Sequence, residues 1–211
     1  MFWKLSLNGQ WTLPLVEFWR GEPTGTTLLV GDKGRKELAA EIDALLERGQ
    51  RVVTFDPFFL GECALGNRDY LFALLVSTVG QRPLGLQSQQ ISSVARWLTE
   101  QRKFDSVTLE AHGPRTSLAA LVAAALETNA VGRIVLHDAL GSLKEVIEQN
   151  RRVEEAPELF CFGLLEQFDV LQLAELVAPR PIEFREASAR VIQELTTLRE
   201  WQELLGAGDS K

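Results

Sequence analysis

His112 and His137 are the only two histidines in the chain, and both stand among groups that imidazole chemistry uses. With Asp138 and Asp56 they could supply the nitrogens and a carboxylate of a metal site. Their spacing follows no metal-ligand pattern, and no four-ligand Cys/His zinc spacing occurs, so no metal is expected. Either imidazole could instead act as base to a hydroxyl, of which Ser117 is the nearest candidate. That serine opens a helical run, so Thr116 or Ser117 is expected to cap the helix. Gly31-Asp32-Lys33-Gly34, with Asp56 closing the next apolar run, has parts of a dinucleotide site, and Lys33, Arg35 and Lys36 add charge suited to phosphate. The loop lacks a third glycine, so a tight strand-to-helix turn is expected there, and no cofactor. Cys63 has no histidine beside it in sequence. With Cys161 it reads as a free, buried thiol.

These residues lie at the ends of short apolar runs. Thr27–Val30, Arg51–Phe55, Ser106–Leu109, Arg133–Leu136 and Pro181–Phe184 have the length and composition of buried strands. Between them, Leu38, Ile42, Leu45 and Leu46 share one helical face, as do Ile91, Val94, Ala95 and Leu98. Leu118 to Leu126 is apolar nearly all round, the mark of a helix buried on most sides. Val170 to Val177 starts after Asp169 and stops before Pro179. Val191, Ile192, Leu195 and Leu198 mark a last helix with Ser188 as its cap, followed by a loose polar tail at Gly206 to Asp209. The alternation predicts an α/β fold, a three-layer α/β/α sandwich around a mostly parallel sheet. Ligands of such sheets sit at the carboxyl ends of the strands. Here those ends are Gly31-Asp32, Asp56-Pro57, Ala111-His112-Gly113, His137-Asp138 and Arg185-Glu186.

Ahead of this pattern, Asn8-Gly9 sits between two runs that carry Leu5, Leu7, Trp11, Leu13 and Leu15, which predicts a β-hairpin. Trp3, Trp11 and Trp19 would form an interaction patch if that hairpin were exposed. The 211 residues suit a single domain over 1–211, with 1–25 as the hairpin extension. A net charge of −7, with scattered basic residues, argues against nucleic acid and anionic membrane as partners. No run of about 20 apolar residues occurs, and the N-terminus lacks a signal-peptide pattern, so cytoplasmic residence is expected.

Val107-Thr108-Leu109-Glu110-Ala111-His112-Gly113-Pro114-Arg115-Thr116-Ser117-Leu118 resembles the nucleophile elbow of α/β-hydrolases, in which a strand runs through G-x-S-x-G into a helix. Leu28 to Gly34 resembles the strand and loop that supply an oxyanion-hole amide, and Asp56 to Glu62 the turn after the next strand. Gly80-Gln81-Arg82-Pro83-Leu84-Gly85 and Ala178-Pro179-Arg180-Pro181 resemble segments of acetyl xylan esterase and dienelactone hydrolase relatives. The similarity runs in order from Thr26 to Leu205. It implies a nucleophile at position 113, where Gly113 offers none, and a histidine after a last strand that this chain lacks. It also implies an acid in the loop where Glu186 stands, here without a partner to orient. The expectation is therefore a catalytically degenerate hydrolase relative that binds or assembles, alone or as a homodimer. Its candidate ligand pocket is Gly31, Asp32, Asp56, Phe58, His112, Gly113, Pro114, His137 and Asp138. The alternative is an active carboxylesterase that uses non-standard residues of the same rim.

Overall fold

A computed structural model describes residues 1–7 and 9–206. Asn8 of the expected turn and the tail from Ala207 lie outside the described residues. The chain runs β1 (Phe2–Leu7), β2 (Trp11–Phe18), β3 (Gly25–Gly31), α1 (Ala39–Glu47), β4 (Gln50–Phe55), α2 (Asp69–Thr78) and α3 (Pro83–Arg96). It continues with β5 (Val107–His112), α4 (Pro114–Leu126), β6 (Val131–His137), α5 (Glu145–Glu148), α6 (Leu164–Gln167), α7 (Val170–Val177), β7 (Ile182–Arg185), α8 (Ala189–Glu194) and α9 (Leu198–Leu204). The sheet order is β1-β2-β4-β3-β5-β6-β7. β3 to β7 are parallel to one another, while β1–β2 and β2–β4 are antiparallel. Among the described residues β7 is the last strand.

The hairpin is part of the sheet, because β2 pairs with β4 from Leu15↔Phe55 to Phe18↔Val52. This corrects the expected tryptophan patch. Trp3 packs edge-on against Trp97 at 5.3 Å and Trp11 against Phe58 at 5.1 Å, so only Trp19 is left largely exposed. Below the first pair, the Glu17 carboxylate accepts from Trp3 Nε1 (2.6 Å) and pairs with Arg51 (3.1 Å) and Arg102 (3.4 Å), so this buried charge is compensated.

The two faces of the sheet differ. Leu28, Val30, Val53, Phe55, Leu109, Ala111, Ile134 and Leu136 point into the main core beneath α3, α4 and α7. The alternate residues point the other way, since strand side chains alternate. There Leu29 and Val52 meet Leu38, Ile42, Leu45 and Leu46 of α1 and the turn before it. Over β5 to β7 that second face carries Thr108, Glu110, His112, Arg133, Val135, His137, Glu183 and Arg185. Glu110, Val135 and His137 on this second face are buried, so helices lie against both sides of the sheet, as a three-layer α/β/α fold requires.

Two helix expectations need correction. The last helix is two, α8 and α9, and Ser188 does cap the first by accepting from the Val191 amide at 3.2 Å. α4 starts at Pro114, so Thr116 and Ser117 lie inside its first turn and neither is its cap. α7 begins as expected, in a capping box of Asp169 and Gln172. The Ala178–Pro181 segment also has a structural task. Arg180 donates to the carbonyls of Ala124 (2.6 Å) and Glu127 (2.8 Å), acceptors at the end of α4, and to that of Val131 (3.1 Å) at the start of β6. Both cysteines are free thiols, half-buried rather than buried, and burial pushes each thiol up, away from the reactive thiolate.

Candidate functional site

β5 ends at His112, Gly113 makes the bend and Pro114 opens α4, so position 113 does sit at a sharp strand-to-helix turn. Gly113 has φ 102° and ψ 160°, a region open essentially to glycine alone. A Cβ there would lie 2.4 Å from Cγ of Asp32. The Asp32 carboxylate folds over the bend and takes the place of the missing α4 cap. It accepts from the amides of Arg115 (3.1 Å) and Thr116 (2.7 Å) and from the Thr116 hydroxyl (2.8 Å). In this fold an oxyanion hole uses the amide after the nucleophile and one from the loop after the β3-type strand. Pro114 has no N–H. The Asp32 amide donates to the His112 carbonyl at 2.9 Å.

Burial pushes the Asp32 carboxyl above its ordinary 3.8, against the pull of the Thr116 and Arg115 amides. The folded state thus holds this proton more tightly than the unfolded chain does. Its contribution to stability is greatest below the unfolded value near 4 and is lost as pH rises through the higher folded value. Asp32→Asn removes that ionisation. Its stability relative to the parent is expected to improve as pH rises above the ordinary carboxyl value in urea titrations. A gap that is constant with pH would contradict this.

Strand register brings the histidines together. His112 and His137 are opposite partners on β5 and β6, and Glu110 lies two residues before His112 on the same face. The two rings stack, with centroids 3.8 Å apart and planes 15° apart. Glu110 Oε1 lies 3.1 Å from His137 Nε2 and 3.3 Å from His112 Nε2. Burial raises the Glu110 carboxyl, but hydrogen bonding from His112 and the charges of His112, His137 and Arg185 outweigh it and hold the group below its ordinary 4.5. Glu186 Oε2 lies 2.5 Å from His137 Nδ1. The expectation that Glu186 has no partner is thereby corrected: it addresses an imidazole, although on β6 rather than after a last strand.

The other predicted residues divide. Gly31, Asp32, His112, Gly113, Pro114 and Asp138 line one open cleft of about 370 Å3, together with Lys33, Glu37, Leu38 and Glu41. Asp56, Phe58 and His137 do not line it. Asp56 is buried and accepts from the Arg35 amide (2.6 Å) and the Glu62 amide (3.0 Å), while its other contact is the Arg35 guanidinium at 3.1 Å. A Cβ on Gly61 would lie 2.5 Å from the Asp56 Cγ, so this glycine lets the turn close on the carboxylate. Asp56 is therefore a staple between two loops, not a ribose ligand. Phe58 stacks on Phe59 at 3.8 Å. Ser117 Oγ donates to the His137 carbonyl at 3.1 Å, and among the described residues no hydroxyl is hydrogen-bonded to an imidazole.

Sequence reading missed three members of this region. Glu110 was passed over although Glu-x-His on a strand places both side chains on one face. Arg115 and Glu158 form a bidentate pair, with Arg115 Nη2 at 3.1 Å from Glu158 Oε2 and Nε bonded to Oε1. Burial works against the Arg115 charge, but Glu158 more than offsets this and holds the guanidinium protonated. Nothing local in the sequence announces Glu158.

Sheet order, elbow and covering helices together define the α/β-hydrolase fold, and the chain is similar to solved structures of that fold. A Bacteroides fragilis protein assigned as an acetyl xylan esterase superposes with a TM-score of 0.79 at 18% identity, over 99% of this chain and 64% of that one. A glucuronoyl esterase from Solibacter usitatus gives 0.65 at 14% identity, over 92% and 66%. The acylaminoacyl peptidase of Pyrococcus horikoshii gives 0.64 at 10% identity, over 98% and 35%. The chain thus spans about two thirds, or less, of the length of each of these proteins. No protein-family model matches the chain. No curated protein matches it. None of the described helices is long and apolar enough to cross a membrane.

Proposed function

We propose that this chain is a catalytically silent α/β-hydrolase-fold protein that acts as a binding module, with a small-molecule site in the cleft beside Gly113. The observation that carries this reading is the Asp32 carboxylate, which lies where a side chain at position 113 would project. Three further features support it. Gly113 offers no attacking atom, Pro114 offers no oxyanion donor, and the hydroxyls of Thr116 and Ser117 are held by carbonyls and by Asp32. Loss of one triad member costs on the order of 10⁴ in rate, so loss of the nucleophile together with the oxyanion donor removes most of the fold's catalytic means. The cleft itself stays open, and Asp32, Lys33, Glu37, Glu41 and Asp138 are among the residues that line it.

The esterase and peptidase activities named above belong to the similar proteins. The test is hydrolysis of p-nitrophenyl acetate. The expected rate is that of buffer alone, unchanged by His112→Ala. Turnover well above buffer that this substitution abolishes would establish the competing reading, a carboxylesterase working through non-standard residues.

A further inference from the structure

The geometry points to a binding site for a divalent transition metal of the zinc class, formed by Glu110, His112 and His137, with Glu186 orienting His137. The site lies beside the elbow and does not depend on whether ester chemistry has been lost.

Four observations carry it. First, the donor set is right. Two imidazole nitrogens and a carboxylate oxygen lie within 4.8 Å of one another, and such a set suits zinc and its neighbours rather than magnesium or calcium. Second, the spacing is right. Donors 2.0–2.1 Å from a tetrahedral ion are about 3.3 Å apart. Glu110 Oε1 stands 3.1 and 3.3 Å from the two Nε2 atoms. Third, the support is of the kind metal-binding histidines have. Glu186 Oε2 at 2.5 Å from His137 Nδ1 holds the proton on that nitrogen and leaves the Nε2 lone pair for a ligand bond. Fourth, the site is both anchored and reachable. Glu110 and His137 are buried on strands of the sheet, whereas His112 lines the open cleft. Three protein ligands leave a fourth position for water or an anionic ligand, on the side of His112.

A closed set of hydrogen bonds is the rival arrangement. In it His137 carries protons on both nitrogens, one for each carboxylate, and no ion is bound. Zinc separates the two, because only the metal arrangement leaves the His137 Nε2 lone pair free to bind it. The full chain, stripped with chelator, is titrated with zinc chloride by calorimetry and by thermal melting, with magnesium chloride as control. The expected result is one zinc per chain and a midpoint rise of about 5–11 °C at a hundredfold excess over the dissociation constant, with no response to magnesium. Glu110→Gln and His112→Ala should each abolish the response. Glu186→Gln should keep the stoichiometry and weaken affinity about 10- to 100-fold. If a variant does not fold, visible absorption of the parent chain loaded with cobalt reports the coordination directly, and four-coordinate bands are expected. No saturable zinc binding, six-coordinate cobalt bands, or zinc binding unchanged in His112→Ala would each overturn the proposal. Failure here would leave the p-nitrophenyl acetate result untouched, so the two readings fall separately.

Discussion

Replacing Gly113 with serine, which restores the hydroxyl that the elbow lacks, is expected to lower the melting midpoint by about 6–12 °C and to create no esterase. Two costs add. A side chain at φ 102° and ψ 160° carries roughly 1–3 kcal/mol of backbone strain. The new Cβ would also lie 2.4 Å from Asp32 Cγ, which forces the carboxylate away from the Thr116 amide and hydroxyl that it holds. Overpacking of this kind costs roughly 1–3 kcal/mol more, so a total of about 3 kcal/mol is reasonable. In Gly113→Ser/Asp32→Ala the collision is gone, and part of the lost stability should return while the strain remains. Differential scanning calorimetry of both variants, with the ester assay alongside, checks this. A Gly113→Ser protein as stable as its parent would show that the bend accepts a side chain and that Asp32 does not fill its place.

The second large effect is expected at Glu158, which is fully buried in the short turn Pro157–Leu159 against α2, α3 and α4. Glu158→Ala should cost about 3 kcal/mol, the low end for breaking a buried ion pair, because Arg115 keeps an 18% exposed edge through which water can reach it. The loss comes from leaving the guanidinium without its bidentate partner in a place too dry to hydrate it fully. Replacing both groups, as in Arg115→Met/Glu158→Leu, should restore most of the stability, since the pair itself pays a large desolvation cost. Urea denaturation of the single and double variants decides the matter. If the double variant were as unstable as Glu158→Ala, shape rather than charge would be what the turn needs.

Much of the architecture was readable before any coordinates. The strands at Thr27–Val30, Arg51–Phe55 and Arg133–Leu136 fall inside β3, β4 and β6, because a short apolar run bounded by turn residues has few other uses. The caps at Asp169 and Ser188 were equally local, since each side chain reaches a backbone group one to three residues away. The break of the last helix into α8 and α9 was not readable, because its apolar spacing continues across the gap at Leu195.

By itself the sequence determined the layered α/β order, the bend at Gly113 and the absence of an attacking atom there, because each depends on residue type and on periods of a few residues. The tertiary structure alone decided what surrounds that bend. Asp32 reaches Thr116 across 84 residues, Glu186 reaches His137 across 49, and Glu110 reaches His137 across 27. Such meetings are set by how parallel strands align and how their loops close over the sheet. Both depend on the packing of the whole core, which no local pattern of residues encodes.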